Sequence, residues 1–269
     1  MNDIYDSLQI ANLPANRLYR YGFFKQNCST KITDLILAFS KNVSANDSLD
    51  QPANMSYRTA IKHYLKNRPW MLFGINLLLG PFSDPEINRR QSTFLPDFLM
   101  QEIEKTGLAS GPVILLDGSY QPKIQHGLTS PLVVFWIILM LLAVDVFWLK
   151  TSKSVTNGID LAIFSLAGIF GMLFLTFWIW SEHQTLHFNF NLLWANPLLL
   201  VLPWSIPARK AKFNRVFLLL YSLLLFFFLI SWSKFPQKIP MEAMPIVSIL
   251  VLRAVNRVFQ FRKMESTIV

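Results

Sequence analysis

Long apolar runs in the C-terminal half of the chain constrain its fold more than any other feature. The run that begins at Pro131, PLVVFWIILMLLAVDVFWL, carries one charged residue, Asp145. A helix needs about 20 mostly apolar residues to cross the roughly 30 Å hydrocarbon core of a bilayer. The whole chain is 52% hydrophobic with a mean hydropathy of +0.36, which is too apolar for an ordinary soluble domain. We therefore expect an integral membrane protein.

The apolar runs also predict how the chain divides into domains. Five segments qualify as membrane spans, although Asn196-Pro197 interrupts the third and two arginines end the fifth: 131–149, 160–180, 190–206, 216–232 and 241–259. The preceding residues alternate polar and apolar, and they indicate helices and a pair of strands around an Asp117-Gly118 turn. We predict an extramembrane α+β domain over 1–128 and an α-helical membrane domain of five helices over 129–269.

The net charge of +9 is unevenly distributed between these domains. Residues 1–128 hold 13 Lys or Arg and 11 Asp or Glu, whereas residues 129–269 hold 12 and 5. Basic residues beside spans usually report orientation, so nucleic-acid binding is not expected. An outward N-terminal domain places ten basic residues on the cytoplasmic side: Lys150, Lys153, Arg209, Lys210, Lys212, Arg215, Arg253, Arg257, Arg262 and Lys263. Lys234 and Lys238 then lie opposite, with the loop 181–191.

The start of the chain does not fit an outward domain. Residues from Met1 onward show neither a basic segment nor an apolar core, so no signal peptide is recognised. We expect that an N-terminal part is missing from this sequence. The sequence also shows no Gly-rich phosphate loop and no metal-ligand cluster, so neither a metal nor a cofactor is expected.

The single cysteine, Cys28, stands where a loop turns into a helix in QNCSTKITDLI. Ile32, Leu35, Ile36 and Phe39 predict one helix face, with Ser29 or Thr30 as N-cap. Cys28 then lies just before a helix N-terminus, where a thiolate is favoured and free amides can stabilise an oxyanion. A buried structural cysteine is the alternative.

Three further features have two interpretations each. The apolar stretch 67–80 is either protein core, which we favour, or a surface that rests on the membrane. Asp145 and Glu182 lie within or beside spans, where ionisable groups are often functional but also snorkel to the interface. The loop 181–191 gathers histidines and asparagines that either contact lipid headgroups or are solvated at the interface: His183, His187, Asn189 and Asn191.

Four blocks together resemble the Bacteroides-type lipoprotein N-acyltransferase family (Lnb-like). They are NRLYRYGFFKQNCSTKITDLI, SYRTAIKHYLKNRPWMLFGINLLLG, STFLPDFL and HFNFNLLWANPLLLV, in the family's order. The resemblance implies a papain-like periplasmic cysteine domain on a five-helix membrane domain, in a bacterial inner membrane. It implies acyl transfer from a phospholipid to the N-terminal cysteine of a lipoprotein. The implied nucleophile is Cys28, with Asn27, Ser29 and Thr30 as site support, and with Arg58, His183, His187 and Asn191 as candidate substrate or headgroup contacts.

The chain departs from the family pattern in one respect. Family members carry a Phe-Gly-His block whose histidine is the expected base, and no such block surrounds the histidines present here: His63, His126, His183 and His187. A thiolate needs a base or a cationic partner to act efficiently. We therefore expect a truncated enzyme or a separate chain that carries the missing part. A cysteine hydrolase of the cell envelope and a non-catalytic membrane scaffold are the alternatives.

Overall fold

The chain separates into two compact units. The computed structural model describes residues 2–39, 49–106, 111–116, 128–149, 151–205 and 211–268. One unit, here called the cysteine unit, comprises Met1–Tyr64 and Asp84–Pro122, and the other, the membrane unit, comprises Leu65–Ser83 and Lys123–Val269. Residues 65–83 thus pack with the membrane helices, although the sequence placed them in the N-terminal domain.

The cysteine unit is mainly helical in its described residues. Its elements in chain order are α1 (Asn2–Asn12), α2 (Cys28–Phe39), β1 (Pro52–Ser56), α3 (Tyr57–Leu65), β2 (Glu86–Asn88), α5 (Arg89–Ser92) and α6 (Pro96–Thr106). The helix between α3 and β2, α4 (Pro69–Leu78), belongs to the membrane unit. The two strands pair antiparallel, with Met55 opposite Ile87. A papain-like architecture is not established by these residues, and the predicted Asp117-Gly118 turn lies outside them.

Aromatic side chains form the centre of the cysteine unit. Phe24 lies 4.5 Å from Tyr57 and 5.2 Å from Phe94 between ring centroids, and all three are buried. The predicted inward face of α2 is wrong in part, because Ile32 is 47% exposed. The buried residues of this helix include Ser29, Thr30 and Thr33, which make hydrogen bonds and so can be buried at little cost.

Four helices of the membrane unit are long and apolar enough to cross a membrane. They are α7 (Pro131–Val144, continued by a π-helical turn, Asp145–Leu149), α8 (Lys153–Trp180), α9 (Ala211–Ile230) and α10 (Ala243–Ile268), and the shorter α4 covers Pro69–Leu78. Each of the four coincides with an apolar run in the sequence. Together with the family-level resemblance, they make this a multi-pass membrane protein.

The third predicted span, 190–206, is not an α-helix. Its described residues form 3₁₀ turns, Phe190–Leu193 and Pro197–Ser205, which follow another at Gln184–Leu186. Pro197 and Pro203 have no N–H to donate, so a regular α-helical ladder cannot run through them. The third of the five expected spans is therefore a 3₁₀ segment in its described residues, while the other four are long helices.

The 3₁₀ segment nevertheless returns along α8. The Phe190 amide donates to Gln237 Oε1 at 2.7 Å, and Gln237 lies between the end of α9 and the start of α10. Farther along the segment, Leu200 packs against Gly168 of α8, where an added Cβ would meet it. Because a 3₁₀ helix rises about 2 Å per residue, the piece Pro197–Ser205 is roughly 18 Å long, and residues 194–196 separate it from the turn Phe190–Leu193.

The 3₁₀ segment is packed inside the protein. Trp194, Ala195 and Leu199 are almost completely buried. At Gly171, a Cβ would collide with the Ala195 carbonyl, so the absence of a side chain lets the segment lie directly on α8. Tyr221 of α9 donates its hydroxyl to the Trp194 carbonyl at 2.5 Å. Irregular backbone at membrane depth is tolerated only where the protein satisfies its polar groups in this way.

Candidate functional site

The start of α2 is defined by Asn27. Its side-chain Oδ1 accepts from the backbone N–H of Thr30 at 2.9 Å, and its backbone N–H donates to Thr30 Oγ1 at 2.9 Å. This reciprocal pair caps the helix in the manner of a capping box. The N-cap is thus Asn27, two residues before Ser29 and three before Thr30, because Asn27 both accepts a hydrogen bond from Thr30 and donates one to it.

Long-range hydrogen bonds fix this helix start within the cysteine unit. The side-chain Nδ2 of Asn27 donates to the carbonyls of Phe94 at 2.7 Å and Phe23 at 3.0 Å. One turn later, Thr33 Oγ1 donates to Thr93 Oγ1 at 2.7 Å. The beginning of α2 is therefore held against the turn that follows α5, which gives Cys28 a fixed backbone.

Cys28 is the first residue of α2, and its thiol is free and exposed. The sequence predicted a position just before the helix. Exposure argues against the alternative of a buried structural cysteine, because a buried cysteine acts by packing. By contrast, Ser29 and Thr30 are buried, so they support the helix start and do not line an open surface.

Two backbone amides of the first turn are left without a partner among the described hydrogen bonds. The Thr30 amide is taken by Asn27 Oδ1, and the Lys31 amide donates to the Asn27 carbonyl at 3.1 Å. The amides of Cys28 and Ser29 are the orphan donors that a helix N-terminus leaves. They are the groups that can stabilise negative charge on a carbonyl oxygen attacked by the adjacent sulfur.

A cleft of about 120 Å³ lies beside α2, and Cys28 is not part of its wall. Its lining includes Thr30, Asp34 and Arg90, and Arg90 forms an ion pair with Asp34 at 2.6 Å. Tyr57 also lines the cleft, and burial raises the pKa of its hydroxyl, which has no hydrogen-bond partner within the described structure. The cleft can hold a few waters or a small polar group.

The described contacts of the histidines are made with other residues of their own units. The ring of His63 lies 5.7 Å from the ring of Tyr64, whose hydroxyl donates to Asp97. Burial, and then that hydrogen bond, raises the pKa of Tyr64. Nε2 of His187 lies 2.7 Å from the Ser181 carbonyl oxygen, and His183 precedes a 3₁₀ turn. His126 lies outside the described residues.

Arg58, predicted as a substrate contact, is a buried ion-pair residue. Its Nε lies 2.7 Å from Asp84 Oδ1 and its Nη2 lies 3.1 Å from Asp84 Oδ2. Arg58 is only 6% exposed. This bidentate pair links α3 to the segment before β2, so its placement gives no support to a headgroup contact.

Asn191 likewise has a structural role. It is fully buried, its Nδ2 donates to the Leu77 carbonyl at 2.9 Å, and its Oδ1 accepts from Trp194 Nε1 at 2.8 Å. Asn189 Nδ2 donates to the same Leu77 carbonyl at 2.7 Å, and Gln237 Nε2 donates to Asn189 Oδ1 at 3.1 Å. We call Asn189, Asn191 and Gln237 the amide cluster. A headgroup contact stays a prediction for His183 and His187.

A group of four buried charges was missed in the sequence. Arg253 of α10 lies 2.5 Å from Asp160 Oδ1 of α8 and 3.3 Å from Asp145 Oδ2. Arg257 lies 2.5 Å from Asp160 Oδ2. We call these residues the charge quartet. The sequence drew attention to Asp145, and it counted the arginines as orientation signals. It could not show that they meet, because Arg253 lies 93 positions from Asp160 and 108 positions from Asp145.

The family of the chain follows from its membrane region. A family model described as the Lnb transmembrane domain matches residues 123–264, which is more than half of the chain. No curated protein and no solved structure matches the chain. The match covers all four long helices, the last of them up to residue 264, and the 3₁₀ segment between them. The chain therefore belongs to the Lnb transmembrane domain family.

Proposed function

We propose that the protein is a membrane-bound lipoprotein N-acyltransferase that carries its acyl chain on Cys28. The observation that supports this most directly is the exposed thiol on the first residue of α2, in a chain of the Lnb family. The membrane region suits the reaction because both substrates, a phospholipid and a lipoprotein, are anchored in a bilayer.

The reaction has two balanced steps. In the first, the Cys28 thiolate attacks an ester carbonyl of the phospholipid, an S–C bond forms, and the C–O bond breaks as the alcohol leaves with a proton. In the second, the amine of the lipoprotein's N-terminal cysteine attacks the thioester, an amide forms, and the sulfur leaves as a thiol with the proton lost by the amine. A histidine of this chain or of a partner chain moves these protons.

The helix start supplies the electrostatic part of this mechanism. Each step passes through a tetrahedral intermediate with negative charge on oxygen, and in this proposal the amides of Cys28 and Ser29 donate to that oxygen. Asn27 and Thr30 hold these amides in place without competing for the oxyanion, since their own polar groups are paired.

The surface beside Cys28 is suited to an acyl chain. Ile32 lies one helical turn after Cys28 on the same side of α2, and both are exposed. Just before the helix, Tyr21 and Phe23 are also exposed, at 56% and 44%. An acyl chain joined to the sulfur can lie against these side chains.

The covalent intermediate provides the test of this function. Protein isolated from membranes in the presence of phospholipid, and digested under acidic conditions, should yield a Cys28 peptide heavier by the mass of an acyl chain. Hydroxylamine should remove that mass, because it cleaves thioesters readily. Mass spectrometry makes the measurement, and Cys28→Ser is the control. A Cys28 peptide that stays unmodified with every phospholipid offered would favour a non-catalytic scaffold.

We further propose that the cysteine unit faces the periplasm of a bacterial inner membrane, because ten of twelve basic residues in 129–269 then lie on the cytoplasmic side. Ser152 and Gln184 are exposed at opposite ends of α8. In a Cys28→Ser background, Gln184→Cys should react with a membrane-impermeant maleimide in cells whose outer membrane is permeabilised and whose inner membrane is intact. Ser152→Cys should react only after lysis. The reverse pattern would invert the orientation.

The same assay examines the 3₁₀ segment. If it crosses the membrane, Ala211→Cys should behave like Ser152→Cys, because α9 then starts on the cytoplasmic side. If it only dips into the bilayer, Ala211→Cys should label like Gln184→Cys. The second result would contradict the fifth crossing.

A further inference from the structure

Helix α4 (Pro69–Leu78) joins parts of the membrane unit that are distant in sequence. At its start, Trp70 Nε1 donates to the Thr129 carbonyl at 2.8 Å, two residues before α7 begins. At its end, the Leu77 carbonyl accepts from Asn189 and Asn191, which lie in the loop that follows α8. Gln237, just before α10, donates to the Leu79 carbonyl at 3.0 Å. The helix therefore lies across the same ends of α7, α8 and α10.

One face of α4 is fixed to the bundle. Phe73 and Leu77 are buried in the core shared with the long helices, and the Phe73 ring lies 5.4 Å from Phe135 of α7. After the helix, the Gly80 amide donates to the Thr185 carbonyl at 2.7 Å. These contacts anchor both ends of α4, so its orientation on the bundle is set by packing and hydrogen bonds.

The other face of α4 is exposed and apolar. Trp70 and Met71 are 45% and 50% exposed, and an added Cβ at Gly74 would meet nothing. Exposed aromatic residues occur around the same end of the bundle: Phe82, Trp136, Trp180 and Phe188. Such a belt is typical of residues at the level of lipid headgroups. Lys66 and Arg68, both exposed, immediately precede the helix and suit phosphate groups.

We propose that α4 is an interfacial helix, with Trp70 and Met71 inserted into the headgroup region of the bilayer. The occupant is the lipid surface because this face is continuous with the spans on which α4 is mounted, and because the helix lies across their ends. The segment 67–80 is then partly core, through Phe73 and Leu77, and partly membrane surface. This inference is independent of acyl transfer, since it concerns only the membrane unit.

Nitroxide labels in the reconstituted full chain test the depth of α4. In a Cys28→Ser background, the label is attached at Met71→Cys or at Gly74→Cys. Gln184→Cys serves as the reference for a label in water. Leu223→Cys, which is exposed in the middle of α9, serves as the reference for a label in lipid. The ratio of collisions with oxygen to collisions with a water-soluble nickel chelate should be several-fold higher at Met71 and Gly74 than at Gln184. It should stay below the ratio at Leu223.

Two results would overturn the proposal. A ratio at Met71 and Gly74 equal to that at Gln184 would place this face in water. Labels that neither oxygen nor the nickel chelate reaches would show that protein covers it. Because neither label measures acyl transfer, an inactive protein gives the same readout, and failure of the proposed function stays distinguishable.

Discussion

Cys28→Ser should reduce acyl transfer at least about a thousandfold, as substitutions of a covalent nucleophile do in other enzymes. Serine is close to cysteine in size, but its hydroxyl is far less acidic than a thiol and supplies little anion to attack the ester. Because the side chain is exposed on the first residue of α2, the substitution should leave packing unchanged. The measurement is transfer of a labelled acyl chain from phospholipid to a lipoprotein peptide.

A matched substitution on the same helix separates chemistry from folding. Ala38 is exposed near the other end of α2, so Ala38→Ser also introduces a hydroxyl on the helix surface. Ala38→Ser should retain near-normal transfer, and both variants should unfold at the temperature of the unmodified protein. Near-normal transfer by Cys28→Ser would show that Cys28 is not the nucleophile, whatever the rest of α2 contributes.

Local sequence patterns predicted the four long helices because a membrane span is a local property. Each apolar run of sufficient length must satisfy its backbone internally, and the α-helix does so with its own residues. The 3₁₀ segment does not satisfy its backbone in this local way. Its backbone is satisfied in part by Tyr221, which donates to Trp194, and its close packing depends on glycines of α8. Those partners lie too far along the chain for hydropathy to reveal.

The candidate site shows the same division between local and distant information. A helix after Cys28 and a capping residue nearby were predictable from spacing. The choice of Asn27 as N-cap was not, because its side chain also reaches Phe94, 67 positions away. Asn191 and Arg58 look like polar residues available to a ligand, yet each has a buried partner elsewhere in its own unit.

Charge counting had a comparable limit. The positive-inside rule uses the number of basic residues beside a span and takes no account of their partners. Arg253 and Arg257 enter that count as surface residues, but the structure buries both against carboxylates of α8 and of the turn after α7. The effect of Arg253 and Arg257 on membrane orientation and their effect on the stability of the membrane unit are therefore separate quantities. Different substitutions can measure each of them.

Arg253→Met should strongly destabilise the membrane unit. Arg253 is completely buried, and besides its two carboxylate partners it donates to the Thr156 carbonyl at 3.3 Å. Without it, Asp145 has no cationic partner among the described ion pairs, and Asp160 keeps Arg257. Removing one partner of a buried ion pair costs about 3–5 kcal/mol, because the remaining charge stays desolvated. We expect a large fall in the thermal unfolding temperature and in the amount of protein in membranes.

Two further variants determine whether the loss comes from the uncompensated charge. Lys234→Met removes an exposed cation and should change stability by no more than about 0.5 kcal/mol. Arg253→Met combined with Asp145→Asn removes one charge of each sign, and it should recover part of the stability because Asp160 keeps Arg257. Thermal unfolding in detergent, followed by tryptophan fluorescence, compares all variants. If Arg253→Met unfolds at the same temperature as Lys234→Met, the charge quartet does not hold α7, α8 and α10 together.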